Sequence, residues 1–346
     1  MQSDFVIGII LGLLAGLVNG IFLLPMRYTR EWAWENTWLV FTILSTGMFP
    51  WVAALLAVPN LVAVFHQSPA SYLLPGMIAG GIWGVAQVLY GLGLGMVGIA
   101  IGSAVVACTS TAAGTLGPMI VYAHGRLFSS ASLVLLVAIG LVIVGIYQYG
   151  KAGVQKERET AGKDVPKQVV SGSFRTGLII CLSTGALGTA FIYGSKSSSG
   201  LVDAARGIGG APSQMFAEFT ALLVTFNAGM IAGVIYSVYK LNKNRTWGAF
   251  LTSGSFAWNL ALSVLMAALW YGGILMYNSS AVKLGVGLGP STAFALFASG
   301  TVLFASLFGW LAGEWRGASH KTVRGFVRGM LLIVAAILVI AFGVQM

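Results

Sequence analysis

The predicted apolar spans of this chain contain one carboxylate, Glu218, within Pro212-Ser-Gln-Met-Phe-Ala-Glu218-Phe-Thr-Ala-Leu-Leu-Val-Thr-Phe-Asn227. An ionisable side chain in hydrocarbon costs about 2.5–3.5 kcal/mol on insertion scales, so it normally faces a protein interior or a water-filled path. A carboxyl placed there can take up a proton from one side of the membrane and release it to the other. Glu218 is therefore the first candidate for a proton-coupling site. The alternative is an ion pair at the membrane edge with Arg206 or Lys196.

A second group of residues has the chemistry of a binding site for a neutral, hydroxyl-rich solute. Trp83, Gln87 and Tyr90 follow one another at i, i+4 and i+7, so one helical face presents an indole, an amide and a phenol. Aromatic faces pack against C–H surfaces, and amides replace the water that a sugar loses. Helix packing or interfacial anchoring is the competing interpretation. Asn259 and Trp270, three turns apart, share a face of another span.

Asn19, in the first span, could bind solute or bond a neighbouring helix. The candidate substrate-binding residues are therefore Trp83, Gln87, Tyr90, Asn19, Asn259 and Trp270. No catalytic residues are predicted, because no phosphate-binding loop or HExxH motif occurs and the three histidines are dispersed in presumed loops. We accordingly expect no enzyme activity, no metal site and no cofactor, with a proton as the coupling ion.

The composition requires a membrane protein. Hydrophobic residues make up 57% of the 346 residues and charged residues only 8%, which a soluble domain does not tolerate. The apolar segments reach the roughly 20 residues that a membrane-spanning helix needs, so the fold class is an all-α polytopic membrane protein in the lipid bilayer. The net charge of +10 lies in short loops between spans, which argues against a nucleic-acid partner.

Apolar runs and chain breakers predict ten transmembrane helices. The expected ranges are 5–26, 36–58, 71–93, 97–123, 128–150, 174–195, 213–240, 248–277, 288–313 and 322–344. Of the 19 Lys and Arg residues, 15 fall in the odd-numbered connections. The positive-inside bias then places those connections in the cytoplasm and both termini in the periplasm.

One long polar segment divides the chain into two groups of five helices. We predict a first five-helix repeat at 1–150, a cytoplasmic linker at 151–173 and a second five-helix repeat at 174–346. Because five is odd, the second group enters the membrane in the opposite sense, which makes the arrangement an inverted repeat. Gly8 and Gly16 align without gaps with Gly177 and Gly185, and Gly98-Ile-Ala-Ile-Gly102 is similar to Gly285-Val-Gly-Leu-Gly289.

Several tryptophan-containing segments, in order, resemble the L-rhamnose/proton symporter family of the drug/metabolite transporter superfamily. They are Trp32-Ala-Trp34-Glu35-Asn-Thr-Trp38, Phe49-Pro50-Trp51, Gly81-Ile-Trp83-Gly84-Val-Ala-Gln87-Val-Leu-Tyr90-Gly91 and Gly313-Glu314-Trp315. Glu218 falls on none of the family's motifs, and Trp270 to Pro290 lacks the aromatic-rich pattern of rhamnose members. The Trp32–Trp38 segment is expected to be structural.

The resemblance implies a secondary active transporter of the bacterial inner membrane that imports a 6-deoxyhexose, L-rhamnose or L-fucose, with a proton. Alternating access between the two halves would carry the sugar. The alternative is a drug or metabolite exporter of the same superfamily, since an acid in a membrane cavity also fits a lipophilic cation. One chain with both halves can form a complete pathway, so a monomer is expected.

Overall fold

A computed structural model describes residues 2–123, 125, 127–160, 174–252, 254–285 and 287–343. Within these ranges the chain is helical and contains no strand, which confirms the predicted fold class. Ten helical stretches are long and apolar enough to cross a membrane, as predicted. They are Ser3–Tyr28, Trp34–Ala57, Ala70–Val97, Ile101–Tyr122, Ser130–Glu159, Phe174–Ser197, Gln214–Asn244, Phe256–Lys283, Gly289–Leu311 and His320–Gly343.

In the part of the chain that the structure describes, fifteen α-helices build these spans and the connections between them. They are α1 (Gln2–Ile21), α2 (Trp34–Thr42), α3 (Phe49–Ala57), α4 (Leu61–Gln67), α5 (Ala70–Val97), α6 (Ile99–Tyr122), α7 (Ser130–Thr160), α8 (Phe174–Leu187), α9 (Ala190–Ser197), α10 (Ser199–Gly207), α11 (Gln214–Asn244), α12 (Ala249–Thr252), α13 (Phe256–Lys283), α14 (Gly289–Leu311) and α15 (His320–Gly343). A 3₁₀ helix, Leu24–Tyr28, extends the first span, and a π-helix, Ile43–Met48, joins α2 to α3.

Two boundaries differ from the sequence prediction by eight residues or more, whereas the others shift by fewer. The eighth span begins at Phe256, not at 248, because the chain turns around Gly254 after the short helix α12. Helix α7 continues to Thr160, ten residues into the segment predicted to be a linker; residues 161–173 lie outside the described ranges. This extension is held in place by Glu159, whose carboxylate accepts hydrogen bonds from the Ser319 N–H and the Thr322 hydroxyl, both at 2.7 Å.

The chain separates into two compact units. The first comprises Met1–Gly20, Leu89–Thr189 and Ser279–Met346; the second comprises Ile21–Val88 and Ala190–Asn278. Four spans therefore pass from one unit into the other. The compact units group residues that contact one another in the folded chain, whereas the predicted repeats group residues by similarity along the sequence. The two divisions therefore differ.

In the first unit, helices α7 and α15 pack along most of their length. Their buried contact residues include Leu135, Val142, Ile333 and Ile340. The close approach depends on glycine, since a Cβ atom at Gly145 would lie 2.9 Å from the Gly329 carbonyl oxygen. Small residues at such contacts let helix backbones meet, which is the main way that helices associate in lipid.

In the second unit, α11 is the central helix, and it is buried continuously from Ala217 to Phe226. Helix α5 packs directly against its backbone, since a Cβ at Gly80 would lie 1.9 Å from the Thr225 carbonyl oxygen. Gly76 and Gly80 thus serve the close packing that their four-residue spacing predicts.

The π-helix in the second span is held by Asn227 of α11. Pro50 has no backbone N–H, so a carbonyl about one turn earlier loses its helical partner. The Asn227 amide donates to the Thr46 carbonyl at 3.2 Å and accepts from the Trp51 indole at 3.1 Å. Asn227 therefore bonds a neighbouring helix, a role that amides often take in membrane proteins, and π-segments of this kind are frequent at functional sites.

Candidate functional site

Glu218 is buried and paired in the second unit. It lies in the second turn of α11, a helix whose N-terminus is capped by the Ser213 hydroxyl, which accepts from the Phe216 N–H at 3.5 Å. The Lys196 ammonium, in the last turn of α9, donates to Glu218 Oε1 at 2.7 Å. The Glu218 side chain is 5% exposed and that of Lys196 is 24% exposed. Of the two cations named as possible partners, the structure pairs Glu218 with Lys196, while Arg206 is exposed.

The second carboxylate oxygen, Glu218 Oε2, has no hydrogen-bond partner among the described residues. The hydroxyls of Ser198 and Thr225 are likewise buried and, within the same part of the chain, unpartnered. These two hydroxyls lie close together, because a Cβ at Gly76 would be 2.9 Å from Ser198 Oγ and 3.2 Å from Thr225 Oγ1. Thr225 follows Glu218 by seven residues and so shares its helix face.

We call Glu218, Lys196, Ser198 and Thr225 the polar column. A buried polar group without a partner costs about 1–3 kcal/mol, so native proteins rarely retain several of them in one place without a water or a ligand to bond them. The polar column therefore contains three buried oxygen atoms, on Glu218, Ser198 and Thr225, that a water or a ligand could bond.

The structure also brings together two of the predicted sugar-binding residues. The rings of Trp83 and Trp270 lie 5.7 Å apart. Phe226 bridges them, with its ring 5.2 Å from Trp83 and 5.3 Å from Trp270. Phe226 belongs to α11, the helix that carries Glu218, so the aromatic cluster and the polar column are built on one element.

Two residues of this region were missed by the sequence analysis. The Tyr271 hydroxyl and the Asn278 amide nitrogen are buried and have no hydrogen-bond partner in the ranges that the structure describes. Tyr271 packs against Phe226 at 6.3 Å. Tyr271 and Asn278 are seven residues apart on α13, so the same spacing rule that selected Trp83 and Tyr90 could have found them.

The other predicted site residues have different surroundings. Gln87 is exposed and lies one turn beyond Trp83 on α5, and Tyr90 is exposed and belongs to the first unit. Asn19, also in the first unit, donates to the Thr301 hydroxyl at 3.2 Å, and its amide oxygen is buried without a described partner. The buried aromatic cluster therefore contains Trp83 but neither Gln87 nor Tyr90.

Asn259 is fully buried, and its amide oxygen and nitrogen both hydrogen-bond to the backbone of Arg30. Its oxygen accepts from the Arg30 N–H at 2.9 Å, and its nitrogen donates to the Arg30 carbonyl at 2.7 Å. Because both the oxygen and the nitrogen of this amide hold the Arg30 backbone, we omit Asn259 from the site proposed below.

A further buried acid was overlooked because the second span was predicted to begin at 36. Glu35 lies in the first turn of α2 and is 4% exposed. Its carboxylate accepts from the Asn244 amide and the Thr246 hydroxyl, both at 2.8 Å. The neighbouring Asn36 donates to the Thr246 carbonyl at 3.0 Å. Glu35 thus fixes the start of α2 to the end of α11, which agrees with the structural role expected for the Trp32–Trp38 segment.

The ten apolar helical spans in the described part of the chain define a multi-pass membrane protein, and a buried ion pair within such spans is typical of a transport pathway. The sequence model of the L-rhamnose-proton symport protein (RhaT) family matches residues 1–346. The chain belongs to this family. Since the family consists of symport proteins, the prediction that the chain is not an enzyme is confirmed.

Curated relatives carry the same description. The L-rhamnose-proton symporter of Cronobacter sakazakii (strain ATCC BAA-894) is 23% identical over 349 residues, covering 99% of both chains. The symporters of Escherichia coli O1:K1 / APEC and Shigella dysenteriae serotype 1 (strain Sd197) are each 23% identical over 356 residues, again covering 99% of both chains. Ten spans and bacterial relatives identify a multi-pass inner-membrane protein.

Proposed function

We propose that this protein imports a small neutral sugar together with a proton, with a 6-deoxyhexose, L-rhamnose or L-fucose, as the substrate. Membership of the family, along the whole chain, supports the class of substrate and the coupling ion. The buried Lys196–Glu218 pair is the observation that carries the mechanism, because the transported proton needs a protonatable group inside the protein.

In the proposed mechanism, protonation of Glu218 removes the charge that holds Lys196. The lysine side chain, which is already 24% exposed, then turns toward water, and the neutral carboxyl stays buried. Loss of the proton restores the pair. The polar column thus has two discrete states that differ by one proton, which is the requirement for coupling a proton to a change of conformation.

The sugar would bind against the indoles of Trp83 and Trp270, whose faces suit the C–H surface of a deoxyhexose. Tyr271 and Asn278 would supply hydrogen bonds to its hydroxyls, since their polar atoms are unpartnered among the described residues. The two indoles and the Tyr271 ring pack against Phe226 of α11, so movement of that helix on protonation of Glu218 would reach the sugar.

The test is uptake of labelled sugar by reconstituted vesicles. An acid-outside gradient should drive accumulation, and an uncoupler should abolish it. Glu218→Gln should lose gradient-driven accumulation and keep sugar counterflow, because the amide resembles the protonated acid but cannot release a proton. Glu35→Gln is the matched control, since Glu35 is equally buried but bonded to Asn244 and Thr246. Normal accumulation by a stable Glu218→Gln protein would contradict the proposed coupling.

The exporter alternative makes a different prediction about ligands. A lipophilic cation would need a free carboxylate, but Glu218 already binds Lys196. Thermal-shift measurements with deoxyhexoses and with quaternary ammonium compounds distinguish the two, because a ligand stabilises the folded state that it occupies. Stabilisation by the sugars alone supports import. Stabilisation by the cations alone would support export.

A further inference from the structure

The first unit contains a cavity that includes none of the proposed sugar-binding residues. Its volume is about 830 Å³. One wall is a single face of α7, on which Tyr147, Lys151, Val154, Gln155 and Arg158 follow one another at helical spacing. The facing wall is mainly aliphatic and comes from α6 and α8, with Ile101, Ala104, Val105 and Leu182. We call this cavity the α6–α7–α8 groove.

Two cations at one end of the groove have no anionic partner among the described residues. Lys151 and Arg158 are exposed, and neither forms an ion pair with any described residue. The acid that lines the groove, Glu159, is engaged with α15 through Ser319 and Thr322. Seven residues of helix separate the two cations, a rise of about 10 Å. The groove therefore combines an aliphatic trough with a net positive end, where two cations stand against one acid.

The position of this positive end matches the level of lipid headgroups. Along α7 the residues are apolar as far as Ile146 and become charged from Lys151 onward. Tyr147, which is 61% exposed, lies at the transition, where aromatic residues concentrate in membrane proteins. A neutral sugar has no charge to pair with the two cations, and a lipophilic cation is repelled by them, so an anionic ligand suits the groove better than either solute discussed above.

We propose that the α6–α7–α8 groove binds an anionic phospholipid, with its phosphate against Lys151 and Arg158 and an acyl chain along Ile101, Val105 and Leu182. Basic groups beside a membrane surface attract anionic headgroups, each contributing about a factor of five in affinity. Apolar burial of the chain supplies the rest. The bound lipid would bridge α6, α7 and α8 and stabilise the first unit.

The test compares phosphatidylglycerol with phosphatidylcholine, added to the full-length protein in detergent. Phosphatidylglycerol should raise the Tm of the native protein more than phosphatidylcholine does, and native mass spectrometry should show it bound. In Lys151→Gln/Arg158→Gln the Kd for phosphatidylglycerol should rise about 30-fold, and the difference in Tm should disappear. Lys321→Gln/Arg324→Gln removes two exposed cations of α15 that do not line the groove, and it should behave as the native protein. Equal loss in both variants would overturn the proposal.

A second measurement leaves Lys151 and Arg158 unchanged and instead uses a cysteine of the groove. Cys108 lines the groove, whereas Cys181 is fully buried. In a Cys181→Ser protein, phosphatidylglycerol should slow the labelling of Cys108 by N-ethylmaleimide, and phosphatidylcholine should slow it less. Identical labelling rates in the two lipids would contradict a site in this groove, even if the charge variants failed to fold.

Discussion

At the scale of single residues, the Lys196–Glu218 pair is the feature on which the proposed coupling mechanism depends. A lone acid in an apolar span predicted either a proton site or an ion pair, and in the structure the acid is both buried and paired. The two interpretations are compatible, since a pair that one proton can break is a switch. The sequence predicts Glu218 as a candidate from its residue type and its apolar surroundings. The choice of Lys196 over Arg206 as its partner depends on how α9 packs against α11, and residue spacing along the chain does not reveal this packing.

The energetics of this pair give a first prediction. Lys196→Gln and Glu218→Gln should each lower the free energy of unfolding by about 2 kcal/mol, because each leaves a partly buried charge without its partner. The double variant should recover most of this loss, since two neutral amides can hydrogen-bond in the same space. Thermal unfolding of the three proteins in detergent checks it. Additive losses in the double variant would show that the two side chains do not interact.

A second prediction concerns Tyr271. Its hydroxyl has no partner in the described part of the chain, so Tyr271→Phe should leave stability unchanged or raise it by up to about 1 kcal/mol. The same change should raise the KM for the sugar about tenfold or more if the hydroxyl bonds the substrate, because sites built around a hydrogen bond depend on it strongly. Tyr239→Phe, at an exposed tyrosine of α11, is the control. A destabilised Tyr271→Phe protein with a normal KM would show instead that the hydroxyl stabilises the fold and does not bind the sugar.

At the scale of elements, glycine positions support the proposed inverted repeat. Gly16 of α1 faces α14, where a Cβ would lie 2.7 Å from Gly300 Cα. Its aligned counterpart, Gly185 of α8, faces α6, where a Cβ would lie 2.8 Å from the Val106 carbonyl oxygen. In two groups of five helices, α14 and α6 belong to the ninth and fourth spans, which are equivalent. The boundaries between the compact units, Gly20/Ile21 and Thr189/Ala190, also align in the same register.

This equivalence predicts matched effects of substitution. Gly16→Ala and Gly185→Ala should each cost about 1–3 kcal/mol of stability, since the added methyl meets the backbone of the neighbouring helix. Gly140→Ala should cost nothing, because a Cβ there has no atom within 4 Å. Chemical denaturation in mild detergent measures all three. A large cost at only one of Gly16 and Gly185 would weaken the case for equivalent helices.

The elements also show which structural features the sequence could predict. Hydropathy predicted ten spans because each apolar run is long enough to cross the membrane, and that requirement is local. It did not predict the start of the eighth span or the helical extension of α7, since the first depends on a turn near Gly254 and the second on contacts of Glu159 with α15. Glu35 was missed because it lies just before the predicted start of the second span, at 36. Its burial depends on Asn244 and Thr246, which are more than 200 residues away along the chain.

At the scale of the whole molecule, the proposed direction of transport depends on the predicted orientation of the chain in the membrane. The charge bias predicts that both termini lie outside the cytoplasm and that the start of α11 lies at the outer face. Glu218, in the second turn of α11, would then take its proton from the periplasm. Import driven by an acid-outside gradient follows from this orientation, so the orientation is the premise that most needs measurement.

The last prediction tests that premise. Alkaline phosphatase fused after Met346 should be active, because it folds only outside the cytoplasm, and green fluorescent protein exported to that point should be dark. The same reporters fused after Asn244, at the end of α11, should give the opposite pattern, since Lys240, Lys243 and Arg245 mark that connection as cytoplasmic. Fluorescence from the fusion after Met346 would show that the topology is the reverse of the predicted one. Glu218 would then lie near the cytoplasmic face, and the coupled proton would have to enter the polar column from the sugar-releasing side, which contradicts proton-driven import through this residue.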